Sequence, residues 1–257
     1  MARHSVRCSI PTSSGLLLSG IREVPADTPV GSILFSHCFT CNKDLKAIVK
    51  ISRELAELGW SVLRYDFRGL GNSEGKFCDS SFTANCEDLQ AACHYLKTLD
   101  APVEILVGHS FGGAASLHEA GSIESVRGVV ALAAPSDTHH LANLLETMDP
   151  SIVTVGAGEV VIGGFRYQVN KSMPDDFRSY DLPSVVADLS KPLLALHSRT
   201  DETVGYYHAI KNCGFAGGPR HVGPRSLITL PDSDHLLSSD FICKQVARYI
   251  DTWSRLR

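Results

Sequence analysis

The chain has 257 residues, a length that a single α/β domain reaches, so one domain over residues 1–257 is expected. With 44% hydrophobic and 20% charged residues it has the material for its own core, which excludes a disordered or fibrous chain. A formal net charge of −4 leaves no electrostatic footprint for nucleic acid or an anionic membrane.

No apolar run approaches the ~20 residues that span a bilayer. The patch from Leu16 to Leu18, which follows Pro11, is too short for a secretory signal, so a cytoplasmic location is expected. Eight cysteines stand at positions 8, 38, 41, 78, 86, 93, 213 and 243. A chain of this size needs no disulfides to hold its core, so reduced and mostly buried thiols are the expectation. Cys38 and Cys41 form the one close pair.

Residues 4–10 alternate Val6, Cys8 and Ile10, and the turn-rich stretch 11–15 leads to a second apolar run at 16–21, reading as a hairpin. Residues 31–37 are a short continuous apolar strand, the pattern of a sheet covered on both faces. Asn42 is placed to cap a helix whose apolar face is Leu45, Ile48, Val49, Leu55 and Leu58, ended by Gly59. A strand at 61–66 runs into the glycine-rich loop 67–75. A helix over 83–99, a strand at 103–108, a helix over 111–121 and a strand at 126–133 continue the rhythm. The loop 67–75 lacks a P-loop lysine and the dinucleotide spacing, so it reads as turns rather than a phosphate cradle.

After Pro135 the alternation breaks. Residues 136–190 hold a polar helix-like stretch with His139 and His140, a hairpin over 159–167 turning at Gly163-Gly164, and a Pro- and Asp-rich segment over 173–184. The rhythm resumes with a strand at 192–198, a helix near 204–212, a strand at 226–230 and a helix over 239–254. Such repetition predicts an α/β fold, a mostly parallel sheet with helices on both faces, and an inserted lid over about 136–190.

Gly108-His109-Ser110-Phe111-Gly112 matches Gly-x-Ser-x-Gly and lies between a predicted strand and a predicted helix. A serine on so tight a turn needs neighbours without side chains. The turn lifts its Oγ clear of the sheet and aims the next backbone N–H, on Phe111, at a developing oxyanion. Serine is a poor nucleophile without a base, and the base needs an orienting carboxylate. Asp201 follows the strand at 192–198, and His235 follows the strand at 226–230. Both therefore belong at the carboxyl edge of the sheet, where Ser110 also lies. Ser110, Asp201 and His235 are the predicted triad, with Glu202, Asp232 and Asp234 as rival carboxylates. The second oxyanion donor is expected on the loop after the strand at 31–37, at the N–H of Phe39. His37 and His109 read as backbone braces and His197 as structural. His139 and His140 are given no metal, because no carboxylate or cysteine was seen at ligand spacing, and no cofactor is expected.

Taken together, residues 36–40, 65–75 and 108–113, with Asp201 and Asp234-His235, resemble the α/β-hydrolase superfamily along essentially the whole chain. The resemblance is closest to serine-esterase-like hydrolases that in many bacteria precede an OsmC-type domain, although a glycine usually stands where this chain has Cys38. It implies the α/β-hydrolase fold and carboxylic-ester or thioester hydrolysis. No OsmC-like portion precedes Arg257, so a stand-alone member or a separated domain is expected. The expected partners are a small acyl ester and an OsmC-type domain or a second copy of the chain, with no nucleic acid and no membrane.

A rival reading uses Cys38 and Cys41 as a thiol redox or redox-regulated pair, since Cys-x-x-Cys between a strand and a helix is a redox position. The two cysteines flank Phe39, so a disulfide between them is expected to re-form the oxyanion loop and silence the esterase.

Overall fold

Strand and helix alternate through the computed structural model, which describes residues 3–214 and 222–257. In chain order the first elements are β1 (Arg3–Pro11), β2 (Leu17–Pro25), β3 (Ser32–Ser36), α1 (Lys46–Glu57), β4 (Ser61–Tyr65) and α2 (Phe82–Thr98). Next come β5 (Ile105–His109), α3 (Phe111–Glu119), β6 (Gly128–Leu132), α4 (His139–Met148) and α5 (Ser151–Thr154). The chain then runs through β7 (Ala157–Ile162), β8 (Phe165–Asn170), α6 (Ser172–Arg178) and α7 (Leu182–Asp188). It closes with β9 (Leu193–Ser198), α8 (Tyr207–Asn212), β10 (Arg225–Leu230) and α9 (Asp240–Ser254).

Eight strands form one sheet in the order β1-β2-β4-β3-β5-β6-β9-β10. Pairings from β4 through to β10 are parallel, and only β2 pairs antiparallel, with β1 and β4. This is the α/β-hydrolase fold, mostly parallel with helices on both faces. The central strands β3, β4, β5 and β6 are buried at every residue, as a doubly covered sheet requires. Side chains alternate between the two faces. Ile33, Phe35, Ile105 and Val107 join the core under α1 and α9, while Leu34 and Leu106 join the core under α2 and α3.

Between β6 and β9 the insertion makes a two-stranded sheet of its own, β7 with β8. Gly163 and Gly164 both take positive φ at its turn, the backbone that a two-residue hairpin loop demands. One local expectation needs correction. Asn42 does not cap α1: its Oδ1 accepts from the Asp44 N–H at 2.9 Å inside the preceding turn, and the helix starts at Lys46 with Leu45 at its cap. The Pro- and Asp-rich segment also forms helices, α6 and α7. Asp181 caps α7 by accepting from the Ser184 N–H at 3.2 Å, and Pro183 sits in its first turn, where no N–H is missed.

Candidate active site

Ser110 occupies the turn from β5 into α3 with φ 53° and ψ −124°, a conformation that a side chain rarely adopts. A Cβ on Gly108 would lie 2.3 Å from the Gly112 carbonyl oxygen, and one on Gly112 would lie 2.2 Å from that of His37. Any larger residue at either position would force the turn open. The Ser110 N–H donates to the Leu132 carbonyl at 2.9 Å, which pins the turn to β6. The Phe111 N–H opens α3 and finds no protein acceptor among the described residues.

Asp201 and His235 come together from loops after adjacent parallel strands, β9 and β10. The His235 Nδ1 donates to Asp201 Oδ2 at 2.8 Å, which leaves Nε2 with its lone pair. Asp201 Oδ1 accepts from the N–H groups of Thr203 and Val204, each at 2.9 Å, and His197 Nε2 stands 3.3 Å from Oδ2. Burial pushes the Asp201 pKa up, but the hydrogen bonds from His197 and His235 outweigh it and hold the carboxyl well below the usual range. The rivals are exposed: Asp234 is engaged by the Ser238 N–H at 2.8 Å, and Glu202 and Asp232 lie on the surface. Two braces follow the sequence reading. His109 Nε2 donates to the His235 carbonyl at 2.8 Å, and His197 Nε2 lies 2.7 Å from the Val204 carbonyl. That His197 also reaches Asp201 was not foreseen; its position four residues earlier, at the end of the same strand, was the available signal.

The loop after β3 carries Phe39, whose N–H also lacks a protein acceptor among the described residues. His37 Nδ1 donates to the Cys38 carbonyl at 2.8 Å while Nε2 accepts from the Phe67 N–H at 3.1 Å, a pattern that only a neutral imidazole satisfies. Burial accordingly lowers the His37 pKa to about 4. A buried ion pair, Lys43 Nζ to Asp66 Oδ2 at 2.8 Å, fastens the end of this loop to the start of the 67–75 turn. The expectation of reduced thiols fails at one place, because Cys38 and Cys41 are joined by a disulfide that closes the turn around Phe39 and Thr40. Their Cα atoms are 5.3 Å apart, a separation the tight turn imposes and a disulfide bridges without backbone movement. Five of the six free cysteines are buried, and Cys78 is partly exposed.

Ser110, Phe111, Phe39 and His235 all open on one cavity of about 490 Å³. Residues between β6 and β9 supply its far wall with Leu144, Met148, Phe165 and Tyr167, and among the described residues no Asp, Glu, Lys or Arg lines it. Phe165 and Tyr167 belong to the hairpin read from sequence, whereas Leu144 and Met148 on α4 were not singled out. The reason for refusing His140 a metal also needs correction, since Asp137 stands three residues before it and the two converge with His208. The atoms there are already committed: Asp137 Oδ1 accepts from the His140 N–H at 3.0 Å and His208 Nδ1 from the Ser136 N–H at 3.1 Å.

Comparison with known proteins places this geometry in context. The family described as "Serine aminopeptidase, S33" matches residues 28–156, about half of the chain. The esterase domain of a Rhodothermus marinus protein is 35% identical, with 100% of this chain and 99% of that one covered and a TM-score of 0.77. Est1E from Butyrivibrio proteoclasticus, solved with ferulic acid bound, shares the fold at 20% identity, with 97% and 100% covered and a TM-score of 0.83. The uncharacterized protein YfhR of Escherichia coli K12 is 24% identical over 230 residues, spanning 88% of this chain and 67% of that protein.

Proposed function

The chain belongs to the serine aminopeptidase S33 family of α/β hydrolases, and on that premise we propose that it cleaves carboxylic esters or thioesters of apolar acyl groups through an acyl-enzyme on Ser110. The observation that carries this reading is the shared cavity. An elbow serine and a histidine already bonded to a buried carboxylate open on one apolar pocket. In the first half-reaction His235 Nε2 takes the Ser110 Oγ proton as Oγ attacks the acyl carbon. The oxygen that becomes negative is received by the N–H groups of Phe39 and Phe111. His235 then hands the proton to the leaving alcohol or thiol, and water repeats the sequence on the acyl-enzyme. Asp201 keeps its proton off throughout, holds the imidazole tautomer and stabilises the imidazolium.

Esters are favoured over N-terminal peptides by the pocket chemistry. An aminopeptidase must hold a substrate ammonium, and among the described residues no carboxylate lines this cavity to receive one. A thiol redox role for Cys38 and Cys41 is not favoured by the family. Residues 136–190 act, in this reading, as the lid of a single domain and set acyl choice. An ester panel of graded chain length, run beside a fluorophosphonate label with mass-spectrometric mapping, tests the proposal. Turnover of apolar esters and an adduct on Ser110 are expected; an adduct on any other residue, or cleavage of aminoacyl anilides without esters, overturns it.

A further inference from the structure

We propose a divalent-cation site for ions of the Zn²⁺ and Co²⁺ class, formed by Cys86 of α2 with His118 and Glu119 at the end of α3. Ser110 begins α3 and this cluster ends it, so the two lie about 12 Å apart along the helix axis. Cys86 Sγ is 3.8 Å from His118 Nδ1, and His118 Nδ1 is 2.9 Å from Glu119 Oε1, with all three ligand atoms within 4.8 Å of one another. A tetrahedral ion with the usual zinc bond lengths sets its S and N ligands about 3.5 Å apart and its N and O ligands about 3.3 Å apart. The S–N and N–O separations are each within about half an ångström of that.

The charge at the site points the same way. Glu119 is 4% exposed, yet no Lys or Arg among the described residues pairs with it. The carboxyl end of α3 adds the negative pole of the helix. The one ionisable partner of Glu119 at ion-pair distance among the described residues is the His118 imidazole, which would become a co-ligand of the ion. The outer shell is built as well: the second Glu119 oxygen accepts from Gln90 Nε2 at 2.7 Å and Ser122 Oγ at 3.0 Å, which fixes the carboxylate plane. His118 is partly exposed and gives the ion a path inward. Thiolate, imidazole and carboxylate together select a borderline-soft ion over magnesium or calcium. On binding, the thiol proton leaves to solvent and the imidazole proton shifts from Nδ1 to Nε2, so that S, N and O each present a lone pair.

Cobalt titration of the folded chain, stripped of metal by chelator, tests the site. One equivalent of Co²⁺ is expected to bring up a near-ultraviolet thiolate charge-transfer band, and Zn²⁺ to displace it. Cys86→Ser and His118→Ala should abolish the band. Gln90→Ala, which removes only an outer-shell hydrogen bond, should weaken binding by roughly 10–100-fold. Cys78→Ser, at the partly exposed free thiol, should change nothing. Ester turnover of each variant, expected to match the parent, reports that it is folded. No band at millimolar Co²⁺, or a band that survives Cys86→Ser or His118→Ala in folded protein, overturns the proposal.

Discussion

Asp201 accepts from two backbone N–H groups on Oδ1 and from His235 on Oδ2, with His197 Nε2 3.3 Å from Oδ2. Replacing it with Asn keeps the shape but puts an N–H₂ opposite a donor, so the imidazole loses both its tautomer and its stabilising charge. Asp201→Asn should therefore lower kcat by roughly 10²–10⁴-fold, and Ser110→Ala by roughly 10⁴–10⁶-fold, with the circular dichroism of both unchanged. A larger loss in Asp234→Asn or Glu202→Gln would transfer the acid role elsewhere. At this scale the sequence was legible because chemistry and position coincide. A serine between glycines at a strand end, and a carboxylate and a histidine after later strands, can converge only at one sheet edge. What was not legible were pairings across distant segments. Cys86 and His118, 32 residues apart, meet through the packing of α2 on α3.

The loop between β3 and α1 shows how an element is held rather than what it does. His37 grips one of its carbonyls, Lys43 anchors its end on Asp66, and the Cys38–Cys41 disulfide closes the turn between them. The β7–β8 hairpin joins in as well, with Tyr167 donating from its hydroxyl to the Thr40 carbonyl at 3.3 Å. With the disulfide formed, the Phe39 N–H has no protein acceptor among the described residues. The expected effect of reduction is then opposite in sign to the one read from sequence: dithiothreitol should lower ester turnover, by as much as 10²–10³-fold where the donor is lost outright. Parent and Cys38→Ser assayed with and without reductant decide it, and equal rates in all four assays would show that the turn holds without its bridge. Regular elements were readable from apolar periodicity, whereas α6 and α7 were not, because Pro174 and Pro183 look like breakers until they are seen in first turns.

Across the whole molecule, acid stability follows from buried histidines that must stay neutral. Burial lowers the pKa of His37 and of His208 to about 4, and burial with the charge of His235 lowers that of His109 to about 3. In the unfolded chain each returns to about 6.5. Below that pH the unfolded state binds protons that the folded state refuses, so stability is complete above pH 6.5 and is lost as pH falls toward 4. Asp201 and Asp137, held below the usual carboxylate range, lose their contributions only at lower pH, and Asp88, raised by burial, opposes the trend alone. Three histidines acting together give a slope of up to about 4 kcal/mol per pH unit near pH 5. For a chain of this size that corresponds to a Tm at pH 5 roughly 10–20 °C below its value at pH 7. Thermal unfolding at pH 7, 6 and 5 measures the slope directly, and His109→Gln should make it shallower by about a third; equal Tm values at pH 7 and 5 would refute the assignment. The same three side chains hold the Cys38 carbonyl, the His235 carbonyl and the Ser136 N–H. Protonation blocks the ring nitrogens of His37 and His208 that accept from the Phe67 and Ser136 N–H groups, so irreversible loss of turnover should track the loss of fold through this pH window.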